Sequence, residues 1–235
     1  MDKKIHLESI MQLYTLFTKK NWTKNDSYKD VLGRFGDLLE GLTKEQTELI
    51  LELTNRYIWL SYGEYHSKLR KLFIKLHKKK LKDITKVYLF PIKKTIDEND
   101  VKSGDIVQYM AKGIICSLSE YNNIELVYLK KFEELKSENL KLEKNEYIIF
   151  LDDFIGTGKT LNSTLEKALQ NKSINVDNLS ILSIIIQKDT IIRLQKRGID
   201  VISGIETKKG ITQSYKGDTL KNKTKIMKEL EDKIP

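Results

Sequence analysis

From residue 84 onward, short apolar runs alternate with segments patterned for helices. Residues 87–92, 124–129, 147–151, 179–186 and 199–203 read as strands. The stretches 105–119 and 160–169 read as helices, and Asp189 can cap a third that runs to Arg197 and stops at Gly198. Strands separated by helices at this spacing need right-handed crossovers, which build a mostly parallel sheet. Residues 147–151 and 179–186 are the short apolar runs of strands buried on both faces. Ligands of such sheets bind beyond the carboxyl ends of the strands, so the loops there are where chemistry is sought.

Before residue 84 the periodicity is helical. Ile10, Leu13, Tyr14 and Phe17 recur at helix spacing, and residues 30–39 form a second short candidate weakened by Gly33 and Gly36. Thr43-Lys44-Glu45-Gln46 has the form of a capping box, followed by Leu49, Ile50, Leu53, Tyr57 and Leu60 along one face. A basic segment runs from Lys68 to Lys82, with Leu69, Leu72, Phe73 and Leu76 as its apolar stripe. The expected organisation is therefore a helical region over 1–83 and an α/β domain with a parallel sheet over 84–235.

Composition narrows the function classes. Lys plus Arg number 42 against 33 Asp plus Glu, a net charge of +9. That excess suits a polyanionic partner: nucleic acid, phosphorylated metabolites or an acidic protein. The single cysteine, Cys116, excludes an intramolecular disulfide framework. With only His6, His66 and His77 beside it, a His/Cys zinc site is excluded in practice. No run approaches the ~18 apolar residues of a membrane span. Met1-Asp2-Lys3-Lys4 opens no continuous apolar stretch of signal-peptide type, and a cytoplasmic location is the expectation.

The segment that carries chemistry is Tyr147-Ile148-Ile149-Phe150-Leu151-Asp152-Asp153-Phe154-Ile155-Gly156-Thr157-Gly158-Lys159-Thr160. A buried strand ends in two acids, a small-residue loop follows, and a helix begins. The backbone N–H groups of the loop and the helix N-terminus form an anion cradle of phosphate size. Gly156 and Gly158 permit close backbone approach, Thr157 and Thr160 add hydroxyl donors, and Lys159 adds charge. Two carboxylates beside such a cradle need another task. Accepting hydrogen bonds from vicinal sugar hydroxyls is one, and holding magnesium is another. Gly158-Lys159-Thr160 invites a Walker A reading, but that motif needs glycine where Asp153 stands.

This segment resembles the signature of the type I phosphoribosyltransferases. Asp152 and Asp153 match its acidic pair, Phe154 and Ile155 its apolar pair, and Gly156 to Thr160 its phosphate loop. The resemblance implies a phosphoribosyltransferase-type parallel sheet and phosphoribosyl diphosphate, or a related ribose phosphate, as ligand. It implies that Asp152 and Asp153 hold the ribose hydroxyls at the catalytic centre. Ile155, Gly156, Thr157, Gly158, Lys159 and Thr160 would hold the 5′-phosphate. Mg²⁺ would be bound mainly through the diphosphate. The reaction would displace diphosphate by a nitrogen nucleophile. The family also uses a diphosphate loop, for which Lys102, Ser103 and Gly104 are the candidates, although the family usually turns directly after its first strand. A looser likeness, in the helical front and in Lys208-Lys209-Gly210-Ile211-Thr212, is to phosphoribosyltransferase-like effectors of bacterial anti-phage operons, some associated with retrons.

Two other classes of function stand beside this one. The same fold could sense a nucleotide without turnover. Alternatively, the basic stretch from Lys68 to Lys82 could bind nucleic acid or a protein partner. Trp22, Trp59 and Tyr62 read as core aromatics before they read as base-stacking groups, and Cys116 reads as a small buried hydrophobe.

Overall fold

The structure, a computed structural model, describes residues 3–233. Met1, Asp2, Ile234 and Pro235 lie outside the described residues. In chain order the helices and strands are α1 (Lys3–Lys19), α2 (Tyr28–Glu40), α3 (Lys44–Arg56), α4 (Tyr62–Lys80), β1 (Lys86–Pro91), α5 (Ser103–Ile115), β2 (Glu125–Tyr128), β3 (Glu146–Ile155), α6 (Lys159–Ala168), β4 (Leu179–Gln187), α7 (Lys188–Lys196), β5 (Asp200–Thr207) and α8 (Gly217–Glu231). They form two compact units, residues 1–61 with 209–235, and residues 62–208.

The first unit is helical. Leu13 and Phe17 of α1, Leu39 of α2 and Leu49 of α3 are fully buried in one cluster, joined by Ile226 and Leu230 of α8. Tyr14, placed in the same stripe by periodicity, is half exposed. The capping box forms as its residues require: the Gln46 N–H donates to Thr43 Oγ1 at 3.3 Å, and the Thr43 N–H donates to Gln46 Oε1 at 3.1 Å.

The second unit is a five-stranded parallel sheet in the order β2-β1-β3-β4-β5. It starts one helix earlier than the 83/84 boundary expected from the sequence. The α4 stripe of Leu69, Leu72, Phe73 and Leu76 is buried, and the helix packs on α5, β4 and β5. Its basic residues thus occupy the remaining faces of a packed helix, and Lys79 pairs with Asp200.

Between β2 and β3 the charged stretch forms the short 3-10 turn Phe132–Leu135. Two local expectations change. The α7 helix starts at Lys188 with Gln187 before it, so Asp189 lies in its first turn and is not its cap. Cys116 is exposed, because α5 ends at Ile115 and leaves the cysteine as its C-cap. Among the described residues, no helix is long and apolar enough to cross a membrane.

Strand order positions the site. The chain leaves β1 through α5 to reach β2 on one side, and leaves β3 through α6 to reach β4 on the other. Right-handed crossovers in opposite directions put α5 and α6 on opposite faces and open a crevice between the ends of β1 and β3. Register deepens it: β1 stops at Pro91 opposite Leu151, whereas β3 continues to Ile155 alongside Ile186.

Candidate functional site

The crevice at that switch point holds a cavity of about 220 Å³. Its wall includes Asp152 and the whole of the predicted loop from Ile155 to Thr160. Gly158 adopts φ 76°, the left-handed conformation that turns the chain from strand into α6. No side chain caps this helix start. The first N–H groups of a helix have no partner within it, so those of Lys159, Thr160 and Leu161 are left for a ligand.

The loop is held from behind. Thr190 Oγ1 donates to the Gly156 carbonyl at 2.7 Å, and Arg193 Nη2 donates to the Thr157 carbonyl at 2.8 Å. Arg193 also donates to Thr190 Oγ1 at 2.7 Å. With both carbonyls engaged by α7, the loop's amide dipoles are oriented before any anion arrives, which is what an anion nest requires.

Asp152 is buried at the end of β3. Its Oδ1 accepts from Ser103 Oγ at 2.8 Å and from the Asp153 N–H at 2.9 Å. Burial pushes its carboxyl up to about 7; the Ser103 hydrogen bond opposes this rise, and the neighbouring Asp153 adds to it. Asp153 is partly exposed. Its Oδ2 accepts from Tyr65 Oη at 3.1 Å, and its Oδ1 from the Phe154 N–H at 2.7 Å. The two carboxyls therefore stay adjacent while different helices, α5 and α4, hold them.

The three diphosphate-loop candidates separate. Ser103 reaches the site through Asp152. Gly104 lets α5 approach the strand ends, because a β-carbon there would lie 3.1 Å from the Ile92 nitrogen and the Leu151 carbonyl oxygen. The Lys102 ammonium instead pairs with Asp97 at 3.2 Å and Asp100 at 3.3 Å.

Residues that sequence reasoning passed over complete the site. Ile92, directly after β1, lines the cavity. Lys93 is buried, with its ammonium 3.2 Å from Asp105 Oδ1 and its carbonyl accepting from Thr164 Oγ1 at 2.8 Å. Their position at a strand's carboxyl end was a usable signal. Thr190, Arg193 and Tyr65 carried none, since their roles arise only from packing.

A measurable consequence follows for Asp152. Its folded pKa, about 7, lies above the ordinary carboxylate value. The folded state thus binds more protons than the unfolded one between roughly pH 4 and 7, and stability falls as pH rises through that window. Asp152→Asn removes the penalty. Its Tm should exceed that of the wild type by about 3–6 °C at pH 8, with the difference vanishing near pH 4. Calorimetric scans at both pH values check this, and a variant less stable at pH 8 would contradict it.

Among the described residues no group of three or more His, Cys, Asp or Glu could hold a metal ion. Asp152 and Asp153 have the chemistry that suits Mg²⁺, which is typically bound through one or two carboxylates plus substrate phosphates.

A model of the PRTase-CE family matches residues 21–233. No curated protein sequence matches the chain. Among solved structures it is similar to an APRTase from Giardia lamblia complexed with 9-deazaadenine, at 16% identity and a TM-score of 0.37, covering 60% of this chain and 79% of that one. It is similar to a hypoxanthine-guanine phosphoribosyltransferase from Schistosoma mansoni in complex with IMP, at 14% identity and 0.39, covering 65% and 68%. An orotate phosphoribosyltransferase from Aeropyrum pernix stands at 14% and 0.37, covering 62% and 72%.

Proposed function

The chain belongs to the PRTase-CE family, and from that premise we propose that it binds phosphoribosyl diphosphate, or a related ribose phosphate, in the crevice between β1 and β3. The observation that carries the reading is one cavity that combines unpaired helix-start N–H groups with the buried Asp152 carboxyl, next to the partly exposed Asp153. The loop from Ile155 to Thr160 donates to the 5′-phosphate. Asp152 and Asp153 accept hydrogen bonds from the ribose hydroxyls. The turn at Ile92 and Lys93, with Ser103 and Gly104 at the start of α5, faces the diphosphate side of the sugar.

The reaction is displacement at the anomeric carbon. The bond from C1 to the diphosphate oxygen breaks and its electron pair leaves with diphosphate. A nitrogen lone pair forms the new bond, and the nitrogen's proton passes to solvent. The transition state is cation-like at the sugar, so no protein nucleophile is needed, and the chain's contribution is positioning and fixed dipoles. Mg²⁺, bound mainly through the diphosphate, would supply charge neutralisation for the leaving group, and Asp152 and Asp153 are the carboxyls of this site that would face it.

The test is calorimetry with phosphoribosyl diphosphate and Mg²⁺. Wild type should bind in the micromolar range, and the Asp152→Asn/Asp153→Asn double variant at least about 10-fold more weakly, since hydrogen bonds to charged groups are each worth roughly 1.5–3 kcal/mol. A folded wild type that binds nothing would remove this ligand from consideration. Diphosphate release with candidate nitrogen acceptors then separates turnover from binding alone.

A further inference from the structure

The helical unit contains a larger cavity than the ribose-phosphate crevice, about 640 Å³, and the proposed reaction makes no use of it. That volume lies within the range of small-molecule sites. Its wall is almost wholly apolar and carries five rings: Phe17, Trp22, Phe35, Tyr57 and Trp59. Trp22 meets Phe17 and Trp59 edge-on, with centroids 5.1 and 5.8 Å away, so ring faces and ring edges both border the space. Side-chain hydroxyls give it little polarity. Thr54 Oγ1 is already committed to the Ile50 carbonyl at 2.7 Å.

One cation stands beside two residues of this wall, at the ring of one and the backbone of the other. Lys20 Nζ lies 4.9 Å from the Trp22 ring centroid and donates to the Tyr57 carbonyl at 3.0 Å. Among the described residues no carboxylate pairs with it, so N–H donors remain beyond the one given to Tyr57. Burial, and secondarily Lys19, lower its pKa.

We propose that this cavity is a binding site for an aromatic monoanion. A fused-ring body lies among Trp22, Trp59 and Phe35, and a carboxylate or similar group meets Lys20. Apolar walls supply the affinity and the single cation fixes the orientation. The assignment is independent of the ribose-phosphate reading, since no residue is shared between the two cavities.

The chain carries its own reporters, because Trp22 and Trp59 are its only two tryptophans. The intact protein is titrated with 2-naphthoate, following the two indole N–H signals by nuclear magnetic resonance and the affinity by calorimetry. Both signals should shift, with a Kd on the order of 10–100 μM for a ligand of this size. The neutral isostere naphthalen-2-ylmethanol should bind about 5–10-fold more weakly. Lys20→Met should weaken naphthoate by a similar factor and leave the alcohol unchanged, which a merely structural role of Lys20 would not do. Val31→Phe, which fills the wall, should abolish binding of both; should that variant misfold, the Lys20 variant and the isostere still decide. Three results would overturn the assignment: unshifted indoles at millimolar naphthoate in a folded sample, equal affinity for acid and alcohol, or decanoate binding more tightly than naphthoate.

Discussion

Gly158→Val should abolish phosphate-anchored binding, weakening phosphoribosyl diphosphate by about 100-fold or more, an effect of roughly 3 kcal/mol. Two independent costs converge at this position. The backbone sits at φ 76°, which a β-branched residue adopts only under strain. A β-carbon would also stand 3.0 Å from Thr190 Cγ2, and Thr190 is the residue that holds the Gly156 carbonyl. Relief therefore requires either flipping the peptide that aims N–H groups into the cavity or displacing the α7 residue that orients the loop. Both destroy the nest, while the helix itself can re-form from Lys159 onward. The measurement is calorimetry on a variant whose circular dichroism matches wild type. Retained micromolar binding would mean that the phosphate is held elsewhere.

Phe150→Ala should lower stability by about 4 kcal/mol, a Tm decrease on the order of 10 °C for a chain of this size. Phe150 is fully buried in the centre of the sheet. It is in register with Phe90 on one side and Ile181 on the other, and its ring lies 5.9 Å from that of Phe90 at 62°. Neighbours from three strands and from Leu161 and Leu165 of α6 are locked in one cluster, so the vacated space cannot close by local movement. Urea denaturation should show a lower midpoint at unchanged slope. A loss below about 1 kcal/mol would mean that the sheet repacks freely. The two variants act on one strand–loop–helix segment, Phe150 within β3 and Gly158 in the turn that follows it. Gly158→Val removes binding from a stable protein, and Phe150→Ala removes stability while leaving the cradle's chemistry intact.

How much of this was readable before folding depended on distance along the chain. The strand, acidic pair, glycine loop and helix start fall within fourteen consecutive residues, so their relation is nearly a matter of local geometry. The capping box at Thr43 and Gln46 was legible for the same reason. The supports of the site were not. Thr190 and Arg193 reach the loop from 34 and 36 residues further along, and Tyr65 reaches Asp153 from 88 residues earlier. Nothing in their own surroundings marks them, because each acts through hydrogen bonds formed only when the sheet brings its helix alongside. The place where the two compact units divide, before α4, was not legible for a related reason. A basic, amphipathic α4 looks alike whether its stripe covers other helices or a sheet, and only packing assigns Leu69, Leu72, Phe73 and Leu76 to the sheet.

The amino-acid sequence by itself determined the class of fold and the tight turn from β3 into α6. Buried-strand runs, helical periodicity and the conformational freedom of Gly158 are properties of neighbouring residues and need no distant partner. Tertiary structure alone decided three things. It raised the Asp152 carboxyl, since desolvation depends on what surrounds it. It joined Ser103 to that carboxyl, since β1 and β3 must first lie side by side. It opened the ring-lined cavity, since empty space is a property of how helices fail to fill one another and is written in no single segment.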